Sequence, residues 1–158
     1  MYGWWGHKRE TRFVMDNVLD SELGVNSFRL CNPPPLLIAA LSSSLDIFDQ
    51  TSMSDIRKKS LLITGYLEFL LKQNFEEDTL KIMTTSDPER RGAQLSIRFD
   101  KNKFPENMEE KLSDKGVLCD ARDTIIRIAP APLYNSFTDV WKFVDILKDI
   151  LVTKFENK

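Results

Sequence analysis

The sequence predicts an α/β fold, and three observations carry that prediction. A strong helical stripe runs from about residue 54 to 73, a clean two-residue alternation occupies 93–99, and a second long helical stripe spans about 137–155. Taken in chain order from residue 53, the elements read α-β-β-α-β-β-α. A small mixed or antiparallel sheet with its helices on one side would bury all of these stripes at once.

The first helix is expected at Leu36–Asp49, where Pro35 suits its first turn because the ring already holds φ near the helical value. Just upstream, Cys31-Asn32-Pro33-Pro34-Pro35 forces Asn32 out of the helical region and makes a rigid extended loop. Residues 8–32 read as irregular or short extended pieces. A helix over Ser54–Gln73 follows, with Asp55 offering charge to its N-terminus. Ile56, Leu62, Ile63, Tyr66, Leu67 and Leu70 are its expected buried stripe. Leu80–Met83 reads as a short strand. In the next strand, Ala93, Leu95, Ile97 and Phe99 face one way and Gln94, Ser96 and Arg98 the other. Pro105–Leu112 reads as a short helix closed by Gly116, and Val117–Cys119 and Thr124–Ala129 as two further strands. The final helix, Phe137 to about Phe155, is expected to be capped by Asn135 or Ser136 and to bury Phe137, Val140, Trp141, Val144, Leu147 and Leu151. One compact α/β unit at 53–158 is therefore expected, preceded by a segment, 1–52, that belongs to something larger.

Composition narrows the function classes. The 158 residues are 42% hydrophobic and 29% charged, the balance of a chain that buries a core. A net charge of −2 gives no basic excess to neutralise phosphates, which argues against nucleic acid as a partner. The longest apolar run, Pro33–Leu41, is too short to span a bilayer, so no membrane role is expected. Cys31 and Cys119 lack any metal-ligand or redox spacing, and the one histidine, His7, gives a zinc site no support. A reducing, cytoplasmic setting fits two unpaired thiols. Gly-rich phosphate loops and nucleophile elbows are absent from the sequence.

Four residues stand out as candidates. Arg127 sits in Ile125-Ile126-Arg127-Ile128-Ala129-Pro130, where a guanidinium must find a partner or reach solvent. Its planar fork suits a substrate carboxylate, and pairing with a neighbouring acid on the strand face is the structural alternative. Trp4, beside Trp5, could stack on a flat ligand or donate its indole N–H to a phosphate, or simply pack in a core. His7 could shuttle a proton or contact an aromatic ring, or be an ordinary packed residue. Asn32, wedged before three prolines, is either a placed amide or a turn former.

Taken together, several stretches resemble the kynureninase family. They are Gly3-Trp4-Trp5-Gly6-His7, Thr11-Arg12-Phe13 with Met15-Asp16-Asn17, Phe28-Arg29-Leu30-Cys31-Asn32-Pro33-Pro34, Arg57-Lys58-Lys59-Ser60, Thr64-Gly65-Tyr66-Leu67-Glu68, and Ile126-Arg127-Ile128-Ala129-Pro130 through Phe137. The resemblance runs in order over nearly the whole chain. It implies a homodimeric, fold-type-I pyridoxal 5'-phosphate enzyme of tryptophan breakdown and NAD biosynthesis. Such an enzyme hydrolyses kynurenine or 3-hydroxykynurenine to alanine and an anthranilate.

The same resemblance implies roles. Trp4 would bind the cofactor phosphate across the dimer, Asn32 would meet the cofactor and the substrate's aryl end, and His7 would lie near that aryl end. Arg127 would clamp the α-carboxylate. Residues 1–52 would be the tail of the large cofactor-binding domain and 53–158 the small C-terminal domain. In the family the Schiff-base lysine precedes the region this chain resembles, and no lysine here stands in its context. The chain alone is therefore expected to be inactive, either as part of a kynureninase or as a non-catalytic module pairing with a full-length subunit. A desulfurase-type enzyme of the same fold would need a reactive cysteine on a mobile loop, which Cys31 beside three prolines does not offer. Trp5 and Cys31 stand where the family commonly has phenylalanine and serine, which bears on the preference between the two kynurenines.

Overall fold

A computed structural model describes residues 3–105 and 107–156. The chain divides into two compact units, Met1–Gln50 and Thr51–Lys158.

In the first unit, backbone hydrogen bonds rather than side-chain packing organise the chain. A single helical turn at Trp4–Gly6 lies against a second at Gly24–Phe28. Gly3 N donates to Ser27 O (3.2 Å), Trp5 N to Arg29 O (3.0 Å) and Glu22 N to Gly6 O (2.8 Å). The approach is too close for side chains at both glycines. A Cβ on Gly3 would lie 2.0 Å from Arg29 O, and one on Gly6 would lie 1.9 Å from Ser27 O. The helix α1, Pro35–Phe48, starts at a proline as expected, and none of its 14 residues is buried.

The second unit follows the predicted order. Helix α2 spans Met53–Asn74 and begins at a reciprocal cap: Ser52 Oγ accepts from Asp55 N (3.1 Å) and donates to Asp55 Oδ2 (2.7 Å). Strands β1 (Leu80–Ile82), β2 (Leu95–Phe99), β3 (Asp120–Arg122) and β4 (Ile125–Ile128) form one sheet in the order β1-β2-β4-β3, with every pairing antiparallel. Helix α3 is Met108–Asp114, and α4 is Phe137–Glu156, opened by Ser136 Oγ accepting from Asp139 N (3.2 Å).

Register sorts the sheet into two faces. Leu95 pairs with Ile128, Ile97 with Ile126 and Leu80 with Phe99, so these side chains share one face. That face joins Ile63, Leu67 and Leu71 of α2, Met108 and Leu112 of α3, and Val144 and Leu147 of α4 in one core cluster. The opposite face carries Ser96, Arg98, Asp120 and Arg127.

Three expectations are corrected. Val117–Cys119 is not a strand: Val117 N donates to Leu112 O (2.9 Å) and Gly116 N to Ser113 O (2.8 Å), the pair of hydrogen bonds that ends a helix on a left-handed glycine. The strand starts at Asp120 instead. The helix expected from Pro105 begins at Met108, because Asn107 before it is left-handed with φ of 56°; Glu106 lies outside the described residues. The stripes also turn by about one position. Leu62, Phe137 and Trp141 are exposed, while Leu71, Phe143 and Ile150 are buried in their place.

Candidate functional site

The tight turn of the first unit separates the two tryptophans. The Arg12 guanidinium stacks 4.1 Å over the Trp5 ring while its Nη2 donates to Trp5 O (3.3 Å) and His7 O (3.0 Å). Trp5 is thereby committed to holding the turn. Trp4, in contrast, is 66% exposed, with its indole free of any partner among the described residues. The glycines on either side force the pair into this arrangement, since neither position tolerates a side chain.

His7 lies on the same turn and bridges to Ser21. Its Nε2 is 3.1 Å from Thr11 Oγ1, which donates to Asp20 Oδ2 at 3.0 Å. Lys8 Nζ reaches the same carboxylate at 2.6 Å. The hydrogen bonds from Lys8 and then Thr11 hold the Asp20 carboxyl below its ordinary range, and the bond to Asp20 raises the Lys8 ammonium. The sequence gives neither Thr11, which stands in the Thr11-Arg12-Phe13 stretch, nor Asp20 a role beside His7; they lie 4 and 13 residues from it with no periodicity to link them. Asn32 follows on the exposed loop before α1, where Cys31 Sγ donates to its backbone oxygen (3.3 Å).

In the second unit, Arg127 projects from β4 on the polar face, directly opposite Asp120 of β3 and Ser96 of β2. Its Nη2 forms an ion pair with Asp120 Oδ2, and its side chain remains 40% exposed. The Nε is buried and finds no hydrogen-bond partner among the described residues. The guanidinium is thus anchored on one side, with its unfilled Nε turned inward and the rest of the side chain partly exposed. Asp120 is the neighbouring acid that the sequence alone does not identify. A signal existed: Asp120 and Arg127 are equidistant from the two-residue connection Asp123–Thr124, where Asp123 adopts φ of 53°.

The residues can be set against a pyridoxal phosphate. An exposed indole N–H on a rigid turn suits a phosphate oxygen. The carbonyl end of the cofactor has no match here: the lysine on that turn, Lys8, is held as an ammonium by Asp20 and lacks the free amine that a carbonyl needs. Trp4 thus has the chemistry for a phosphate contact, and Lys8 does not have it for the carbonyl end.

The class these features define is a small α/β domain that presents a strand-borne arginine on its open sheet face. Residues 56–147 match the family model described as kynureninase C-terminal domain. A Kynureninase 2 of Aspergillus niger is 47% identical over 152 residues, covering 94% of this chain and 33% of its own length. The Kynureninase of Homo sapiens is 48% identical over 160 residues, covering 96% and 34%. That of Myxococcus xanthus is 48% identical over 147 residues, covering 92% and 34%. The chain belongs to the kynureninase C-terminal domain family, and it spans about a third of the length of the curated relatives it matches.

Proposed function

We propose that this chain serves the hydrolysis of L-kynurenine or 3-hydroxy-L-kynurenine to alanine and an anthranilate, with Arg127 as the clamp on the substrate's α-carboxylate. The observation that carries this reading is the Arg127 side chain, anchored by Asp120 on the polar sheet face and still 40% exposed. A fork held from one side is preorganised, so a carboxylate arriving at its other donors spends less free energy on ordering it. Trp4 then donates its indole N–H to the cofactor phosphate, Asn32 contacts cofactor and substrate, and His7 faces the aryl end. Pyridoxal phosphate, when bound, supplies the electron sink for the carbon–carbon cleavage. Residues 1–52 and 53–158 correspond in this reading to the tail of a large cofactor-binding domain and a small C-terminal domain of a fold-type-I homodimer working in the cytoplasm.

A second reading has its own observation. Leu36, Leu37, Ile38, Leu41, Leu45 and Ile47 of α1 are all exposed, more contiguous apolar surface than a helix normally leaves uncovered. A non-catalytic module that pairs with a full-length kynureninase subunit would use such a surface.

The test is a fusion of this chain to the upstream two-thirds of a full-length relative. Arg127→Lys there should raise KM for kynurenine by about tenfold or more, from loss of a two-pronged contact, with cofactor content unchanged. Equal loss of substrate use and cofactor would make Arg127 a structural residue and sink the clamp. Stimulation of an intact subunit by the separate chain would favour the pairing module.

A further inference from the structure

The three-residue chain His7–Thr11–Asp20 fixes more than positions; it fixes where a proton sits. A threonine hydroxyl has one hydrogen to donate and two lone pairs to accept with. An ionised carboxylate has none to give. Two contacts of 3.1 Å and 3.0 Å converge on Thr11 Oγ1, from His7 Nε2 and Asp20 Oδ2, and each needs a hydrogen between its heavy atoms. Asp20 is held ionised by Lys8 at 2.6 Å, so the Thr11 hydrogen must point to Asp20. The hydrogen on the other contact can then come only from the imidazole.

We propose that Thr11 and Asp20 are positioning residues that lock His7 with its proton on Nε2, so that neutral His7 presents Nδ1 outward as a hydrogen-bond acceptor. No described residue occupies Nδ1, and the side chain is half-buried rather than enclosed. Lys8 is the second layer of the device: without its charge, Asp20 could take up a proton and the direction of the whole chain would no longer be set. Asp20 is near enough to the imidazole to interact with it, Lys8 pairs with Asp20, and Glu22 and Glu10 act on Lys8.

An acceptor at this point selects for ligands that bring an N–H or O–H donor. This part rests on the reading of His7 as facing the aryl end of a kynurenine, whose ring carries an amine and, in one form, a hydroxyl. A ligand offering a lone pair there would meet another lone pair and be rejected.

His7 is the only histidine in the sequence, so labelling histidine with 15N reports one residue. At a pH where the imidazole is neutral, the nitrogen coupled to both ring protons should be the protonated one in the wild-type chain and in Thr11→Ser. Thr11→Val removes the acceptor, and Asp20→Ala frees the hydroxyl hydrogen to turn toward the ring. Either change should shift the tautomer ratio toward that of free imidazole by roughly fivefold, the size of one net hydrogen bond. The backbone amides of Lys8 and Glu22 show whether the turn survives each change; if Thr11→Val loses it, Asp20→Ala decides. A proton on Nδ1 in the wild type, or the same ratio in wild type and Asp20→Ala, overturns the lock. These spectra need neither cofactor nor turnover, so they stand apart from the fate of the kynurenine reading. In the fused enzyme, Asp20→Ala then assigns the donor: a changed ratio of KM for the two kynurenines points to the hydroxyl, and an equal change in both points to the amine. No change in either removes His7 as a substrate contact.

Discussion

The two units of this chain are built on opposite principles. Between Ile63 and Leu151 the three helices and four strands all contribute to one apolar cluster, with Thr64 and Glu68 of α2 as buried polar groups beside it. In residues 3–50 only Gly6 and Ser27 are buried, and neither has an apolar side chain. One unit is held by area removed from water, the other by backbone hydrogen bonds that close only because two glycines permit it. Candidate site residues occur in both. Arg127 is placed by a packed sheet, whereas Trp4 and His7 are placed by a turn with almost no packing behind it. The same kind of chemical precision can therefore rest on very different reserves of stability.

That contrast can be broken in graded steps. The largest effect should come from Leu67→Ala, which removes a fully buried side chain from the centre of the cluster. A loss of about 2–5 kcal/mol is expected in the melting transition of the second unit, read by calorimetry or denaturant titration. A loss below about 1 kcal/mol would mean the cluster is not what holds this unit.

Glu68→Gln should rank next. The Glu68 carboxylate binds Lys72 at 2.6 Å and Arg91 at 2.5 Å, and the Arg91 side chain is only 6% exposed. Burial pushes the Glu68 carboxyl up, but the bonds from Lys72 and Arg91 outweigh it and the net direction is down. A carboxyl lowered in the folded state stabilises at pH above its ordinary range, and that stabilisation fades as pH falls through the lowered value. Glu68→Gln should therefore cost about 1–3 kcal/mol near pH 7 and progressively less in acid. A pH-independent difference would show that shape, not charge, matters at this position.

Gly6→Ala should have the smallest effect on the second unit and the sharpest on the first. The added methyl would strike Ser27 O, so the slow exchange of the Glu22 amide should disappear. Melting of the second unit should move by less than about 0.5 kcal/mol. A comparable loss in both would erase the distinction drawn between them.

The contrast also explains what was legible in the sequence. Elements of the packed unit announce themselves by period, and α2, β2 and α4 stand close to where the apolar pattern puts them. The pattern failed where a local bond outranked it. Val117, Leu118 and Cys119 are apolar enough for a strand, but Val117 and Gly116 are spent on closing α3, and Leu118 is exposed. Stripe edges slipped because a helix core is set by which neighbours arrive, and Trp141 is large enough to look buried without being so. Site residues were legible singly and not as groups. Arg127 was visible from its apolar strand, but the partners that give Arg127 and His7 their character are bonded across turns and carry no periodic signature.

The two-faced register of β4 has a consequence for inheritance. Ile126 and Ile128 point into the core while Arg127 points away, so inserting or deleting one residue in this hairpin would exchange the three. A lineage could then keep the guanidinium outward only by swallowing a charge elsewhere or dissolving the sheet. The arginine's address is thus guarded by a failure to fold, a stricter penalty than any loss of turnover. Length changes should accumulate in the connection between β1 and β2 and at the chain's ends, and the hairpin through Asp123 should remain fixed in length wherever the domain persists.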